Sequence, residues 1–153
     1  MNYSETKEIL KADNLELFNE HVADFDMDRS YWLDHVAELA FETKAKNVLP
    51  FILNDSRFRL TEQALSLGFY YLGSVSNLEL LKSLINHKDC PDTYDFTHAA
   101  IRAAKYGRIK TLKHILQYKH LKLNIRSNKI INEAAKNGHF SCVKALLEDE
   151  RID

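Results

Sequence analysis

The sequence predicts an all-α fold, an α-solenoid of about five helix-turn-helix units that fills a single domain over residues 1–153. Three observations carry this prediction. Only four Gly and two Pro occur in 153 residues, too few for the tight turns of a sandwich or barrel. Leu occurs 21 times and Val 5 times, which favours straight-chain helix formers over β-branched strand formers. The third observation is a repeat: Ala103-Ala104-Lys105-Tyr106-Gly107 returns 31 residues later as Ala134-Ala135-Lys136-Asn137-Gly138. Short helix pairs repeated at such a period cannot bury their apolar faces alone and must stack.

The repeat gives the elements a common register. After each Gly, apolar residues follow at +2, +5, +8 and +9, one face of a helix. Carried backwards, the same template anchors on Asp13, Lys44 and Ser76. In the first unit, about 4–27, a helix near 4–12 precedes Asp13, and Leu15, Phe18, His21 and Val22 mark a second helix near 14–24. The second unit, about 31–58, has helices near 31–43 and 47–54 around Lys44, with Leu49, Ile52 and Leu53 in the pattern. Pro50 is tolerated there because it lies in a first turn. The third, about 61–90, has helices near 61–73 and 77–87, with Leu78, Leu81, Leu84 and Ile85. The fourth, about 95–121, places helices near 95–106 and 108–118, with Ile109, Leu112, Ile115 and Leu116. The fifth, about 127–152, places them near 127–137 and 139–149, with Phe140, Val143, Leu146 and Leu147.

Asn14, Asn47 and Asn77 stand where N-caps belong. Fourteen residues past each anchor come Met27, Phe58, Cys90, Leu121 and Ile152, a column read as loop plugs. Ala37, Ala40, Ala99, Ala100, Ala103, Ala104, Ala134 and Ala135 on the first helices allow close stacking. The first unit is polar, as an end unit needs to be. The last helix keeps Cys142, Val143, Leu146 and Leu147, so either the sequence is the N-terminal part of a longer repeat protein or this end docks to a partner; the first reading is favoured.

The stretch Ala134-Ala135-Lys136-Asn137-Gly138-His139 with Val143-Lys144-Ala145-Leu146-Leu147, and the matching residues 103–116, resemble ankyrin repeats, here in a divergent form with a short 31-residue period. The Thr-Pro-Leu-His opening of that family is replaced, with Ile101 and Asn132 six residues before the turn Gly, and its hairpin fingers are not expected from charged loops such as 54–58. The resemblance implies a protein–protein interaction module, a scaffold or adaptor that binds along first helices and loops on a concave surface, and it implies no catalysis. Divergent repeats of this kind are similar to those of large DNA viruses, amoebae and bacterial effectors.

The net charge of −1 hides a polarity. Residues 1–43 hold 11 acids and three bases, whereas residues 98–132 hold nine bases and no acid. Such a segment favours an acidic protein, a phosphate group or nucleic acid. The expected partner surface combines Tyr70 and Tyr94 with Arg102, Lys105, Arg108 and Lys110, since exposed Tyr and Arg are favoured contact residues. The alternative, a binder of nucleic acid or other anionic phosphate ligands, would use Lys82, Lys113 and Lys144, one repeat position in three units. Trp32 and Phe69 are read as fillers between repeats, and His21 as a half-buried packing residue.

No catalytic, metal or cofactor pattern is assembled: the seven His and two Cys show neither a His-Glu-x-x-His nor a Cys-x-x-Cys spacing, and no Gly-rich phosphate loop occurs. His139 and Cys142 share a helix face, but Cys142 is read as a buried inert thiol. Two Cys far apart form no disulfide framework, which suits a cytoplasmic protein, or the host cytosol for an effector. No apolar run is long enough to cross a membrane, and a monomer is expected.

Overall fold

Short amphipathic segments joined by tight left-handed turns give ten helices among the described residues. The computed structural model describes residues 3–23, 30–118 and 123–151. They run α1 (Tyr3–Ala12), α2 (Leu15–Ala23), α3 (Ser30–Thr43), α4 (Leu49–Asn54), α5 (Glu62–Ser74), α6 (Leu78–Ile85), α7 (Thr97–Lys105), α8 (Ile109–Leu116), α9 (Leu123–Lys136) and α10 (Phe140–Leu147). No strand occurs among the described residues. The expected plugs Met27, Leu121 and Ile152, the bases Lys119 and Lys122, and the side chains of Tyr31, Trp32 and Arg126 lie outside them. Each predicted helix pair is present, with its ends shifted by a few residues; the largest shift is at α9, which begins at Leu123 rather than near 127.

The anchor positions explain the turns. Asp13, Lys44, Gly107 and Gly138 all have positive φ, between 51° and 71°. That conformation reverses the chain after a helix and strains any residue with a Cβ. At three turns the residue after the anchor reaches back five places: Ala45 N–H donates to Ala40 O, Arg108 to Ala103 O and His139 to Ala134 O, at 3.0, 2.8 and 2.8 Å. These bonds satisfy carbonyls that the helix end leaves open. Ser76 is the exception. It lacks a positive φ, and the third turn departs from the register that places it in this slot.

Two of the three expected caps form. The Asn14 and Asn77 side chains accept from Leu17 N–H and Leu80 N–H at 3.1 and 3.0 Å. Asn47 does not cap α4: its backbone N–H donates to Asp13 Oδ1 at 2.8 Å, and its side-chain amide to Asp13 Oδ2 at 3.2 Å.

The helices fall into two compact units, residues 1–68 with 82–90 and residues 69–81 with 91–153. In the first, α3 packs on α1 and α4. Phe18 and Phe58 are fully buried and meet Phe51, with ring centroids about 6 Å apart. In the second, α7 packs on α8 and α9, and α10 on both α8 and α9. Ala99, Ala100, Ala103, Ala104 and Ala134 are fully buried, so backbones approach closely at the α7–α9 contact, whereas Ala135 is exposed.

Burial sorts the predicted columns. The +5 and +8 columns form the core, with Phe18, Leu49, Leu81, Leu112, Ile52, Leu84, Ile115 and Leu146 sealed from solvent. The plugs Phe58 and Cys90 are buried as expected. The +2 column is not core: Leu15, Lys46 and Phe140 are exposed and Leu78 and Ile109 half-buried. Position +2 lies at the outer start of each second helix, where a neighbouring repeat covers it only in part.

Candidate partner-binding surface

The basic segment supplies its side chains from α7 and the turn that follows. Helical spacing puts Arg102 and Tyr106 four residues apart, and the structure sets the Arg102 Cζ 4.8 Å from the Tyr106 ring centroid. On its other side Arg102 lies 3.9 Å from the ring of Tyr70, from α5. Both rings reach solvent, Tyr70 at 52 % and Tyr106 at 39 % exposure. A guanidinium over aromatic faces is attracted by the ring quadrupoles and loses rotamer freedom before any partner arrives.

Ser74 fixes the rest of the geometry. Its hydroxyl donates to Tyr70 O at 3.0 Å and accepts from Arg102 Nε at 3.0 Å, while its carbonyl accepts from Arg108 Nε at 2.8 Å. Two guanidinium groups are therefore drawn to one serine through their Nε atoms. Each keeps its pair of terminal nitrogens for another acceptor, the fork that matches a carboxylate or phosphate. Among the described residues no carboxylate pairs with Arg102, Lys105 or Arg108. Like charges held together without an acid create a positive potential that an anion relieves.

The remaining predicted residues divide. Lys105 joins the cluster weakly, with its Nζ 5.9 Å from the Tyr106 ring. Lys110 is exposed and lines a shallow groove of about 280 Å³ with Ser76, Leu78, Gly107 and Arg108. Tyr94 is placed differently from Tyr70. It is half-buried and stacks on Phe69 at 4.7 Å and on Phe96 at 5.6 Å. Of the alternative set, Lys113 and Lys144 are exposed and line one open groove with Ile109, Phe140 and Ala145; Lys82 belongs to the other compact unit.

Sequence reasoning missed Ser74 and Tyr106. The i, i+4 spacing from Arg102 was a usable signal for Tyr106; nothing in the sequence marks Ser74, which acts through tertiary proximity. The His139 ring turns toward the preceding turn, its Nε2–H donating to Lys105 O at 3.0 Å. Cys142 is 1 % exposed, and burial raises its thiol pKa, which disfavours the reactive thiolate. The described residues include no cluster of three or more His, Cys, Asp or Glu able to hold a metal.

The paired helices, left-handed turn slots and buried alanines coincide with a family comparison in which a family model of three ankyrin repeats matches residues 70–153, more than half the chain. The chain belongs to the ankyrin repeat family. No curated protein and no solved structure matches it significantly. Ankyrin repeats are generally protein–protein interaction modules, and typically non-enzymatic scaffolds. No helix among the described residues is long and apolar enough to cross a membrane.

Proposed function

We propose that this ankyrin repeat chain, read as five repeats in one domain, is a scaffold or adaptor. It captures an acidic segment of a partner protein on the surface built by Tyr70, Arg102, Lys105, Arg108 and Lys110, with Tyr106 as a further member. The observation that carries this reading is the Ser74-tied pair of arginines. Arg102 is stacked between two solvent-reaching tyrosines, and no acid neutralises either guanidinium among the described residues. A partner glutamate or aspartate accepts two bonds from such a fork, and the tyrosine rings supply apolar area at small entropy cost. Cys90 and Cys142, buried and not joined in a disulfide, suit a reducing compartment, the cytoplasm or the host cytosol.

The test is capture of partners from cell lysate, followed by titration calorimetry on the recovered protein. Arg102→Ala is expected to weaken binding tenfold or more, about the 2 kcal/mol of a hot-spot residue. Unchanged capture after the combined Tyr70→Ala, Arg102→Ala and Lys105→Ala changes would show that the surface is wrong. Binding of DNA or RNA near about 50 mM salt with a steep salt slope, lost on changing Lys82, Lys113 and Lys144, would favour a nucleic-acid ligand instead.

A further inference from the structure

The start of α8 is completed differently from the starts of the other second helices. In the repeat register the residue four past each anchor is Leu17, Val48, Leu80, Thr111 and Cys142. Its backbone N–H is one of the donors that a helix start leaves open. Asn14 Oδ1 accepts from Leu17 at 3.1 Å, Asp13 Oδ1 from Val48 at 3.3 Å and Asn77 Oδ1 from Leu80 at 3.0 Å. In α10 the His139 carbonyl accepts from Cys142 at 2.9 Å. Thr111 N–H meets no acceptor among the described residues, and neither does Lys110 N–H. The cause is Arg108, which stands where the first and third units have Asn14 and Asn77. A guanidinium only donates. Arg108 makes no side-chain cap, and its Nε is drawn to Ser74 O.

A second group at the same place is also unmatched. Thr111 is as buried as Val48, Leu80 and Cys142, at 2 % exposure, yet it brings a hydroxyl. A buried hydroxyl is costly to leave unbonded, and in a helix it can bond the carbonyl four residues back. The Thr111 hydroxyl bonds neither Gly107 O nor any other group among the described residues. The other buried polar side chains there are satisfied: Thr6 by His21, Thr97 by the Asp95 carboxylate, and His87 by the Asp89 N–H. Thr111 lines the shallow groove of about 280 Å³ together with Ser76, Leu78, Arg108 and Lys110, and no acid is among the lining residues. The groove thus joins two cations, two open N–H donors and a buried, unbonded hydroxyl.

We propose that this groove seats a phosphate monoester carried on a serine or threonine of the partner segment. Its oxygens accept from the Thr111 hydroxyl and from the Lys110 and Thr111 N–H groups, and Arg108 and Lys110 meet its charge. The donor set favours phosphate over carboxylate. A phosphate ester brings three strong acceptor oxygens and a charge of about −1.5 to −2, against two oxygens and a single charge on a carboxylate. The positive end of the helix adds to the attraction. The groove is shallow and shares Arg108 and Lys110 with the surface of Arg102 and Tyr70. That continuity suits a phosphate held on an extended acidic segment. The seat rests on the partner reading of the Arg102 surface and adds what the partner must carry.

Amide NMR of the full chain, with N-acetyl-phosphoserine amide as probe up to about 20 mM, covers the millimolar affinity of a lone group. Saturable shifts at the Lys110 and Thr111 amides are expected, with affinity about tenfold or more above that for N-acetyl-glutamate amide. Thr111→Val keeps the side-chain shape and copies Val48 of the second unit. It is expected to lower phosphoserine affinity about fivefold or more with no loss of thermal stability. Arg108→Asn, which restores the capping residue of the first and third units, is expected to abolish the shifts. No saturable shift, equal shifts at Lys113 and Lys144, or parental affinity in Thr111→Val would each overturn the seat. Phosphatase treatment of a captured partner separates this seat from the partner reading. Capture that falls about tenfold both on phosphatase treatment and with Thr111→Val supports both. Capture that survives both, but is lost with Arg102→Ala, overturns the phosphate and leaves the acidic segment standing. Phosphoserine binding at Thr111 with capture unchanged by the Tyr70, Arg102 and Lys105 changes supports the seat and overturns the Arg102 surface.

Discussion

The two compact units join successive repeats with opposite chemistry. In the first, the turn residue Asp13 points forward: its carboxylate accepts from the backbone N–H groups of Asn47 and Val48 at 2.8 and 3.3 Å, at the start of the next turn. In the second, the turn residue is Gly and the following side chain points back. Arg108 donates to Ser74 O, and His139 to Lys105 O, each across 34 residues. An acid that accepts from backbone donors and a base that donates to backbone acceptors do the same task, since both satisfy polar groups freed at helix ends. The lesson concerns the charge polarity of the sequence: part of it is junction chemistry, and what remains unpaired in the second unit is what a partner can use.

The sharpest break in this comparison is expected at Gly107. Its φ is +66°, and an added Cβ would sit 2.6 Å from His139 Nδ1, in a ring already anchored to Lys105 O. Left-handed strain and overpacking act together, so Gly107→Ala should cost about 2–4 kcal/mol in chemical unfolding. Gly138→Ala is the control, because an added Cβ there meets nothing within 4 Å. It should cost only the strain, about 1 kcal/mol. Equal costs at the two glycines would show that the His139 junction does not bear on stability.

In the first unit Asp13→Ala should cost about 1–2 kcal/mol, the size of a lost cap, because three donors of Asn47 and Val48 lose their acceptor. Lys44 has the positive φ without such bonds, so Lys44→Gly should raise stability by about 1 kcal/mol. A loss of stability in Lys44→Gly would mean that the lysine makes a contact worth more than its strain.

The smallest effect separates the units by pH. His87, in the first unit, is 8 % exposed, and burial pushes its pKa below the usual histidine value, with Lys88 adding to the shift and Asp89 opposing it. The unfolded chain takes up this proton from about pH 6.5 downward and the folded one only at lower pH, so stability falls as pH drops below about 6.5. Asp55 and Asp149 have pKa values held low, first by hydrogen bonds from Arg57 and Arg151. Their contribution persists until pH falls through the carboxylate range, below about 4. Hydrogen exchange between pH 6.5 and 5 should therefore show amides of the first unit losing protection before those of residues 91–151. Simultaneous loss in both would remove His87 as the cause.

Most of the fold was legible because its signals are local. Asp13 and Lys44, and Gly107 and Gly138, each pair 31 residues apart, mark turns whose positive φ any helix end of this kind requires, and the +5 and +8 columns follow from helical period alone. Ser76 misled because apolar spacing extends through the third unit while its turn does not. Asn47 misled because a neighbouring repeat, absent from any local window, supplied a better acceptor in Asp13. Of the candidate surface, Arg102, Lys105 and Tyr70 could be named from charge and exposure patterns, and Tyr106 from its spacing.

What the sequence determined by itself was therefore the helix pairs, their register and the uneven charge, because propensity and periodicity act over a few residues. Only the tertiary structure decided that the +2 column faces outward, that Tyr94 stacks on Phe69 rather than joining Tyr70, and that Ser74 draws Arg102 and Arg108 together. The physical reason is the same in each case: periodicity says which residues share a face, but the neighbouring repeat decides which part of that face is covered and which polar groups find partners.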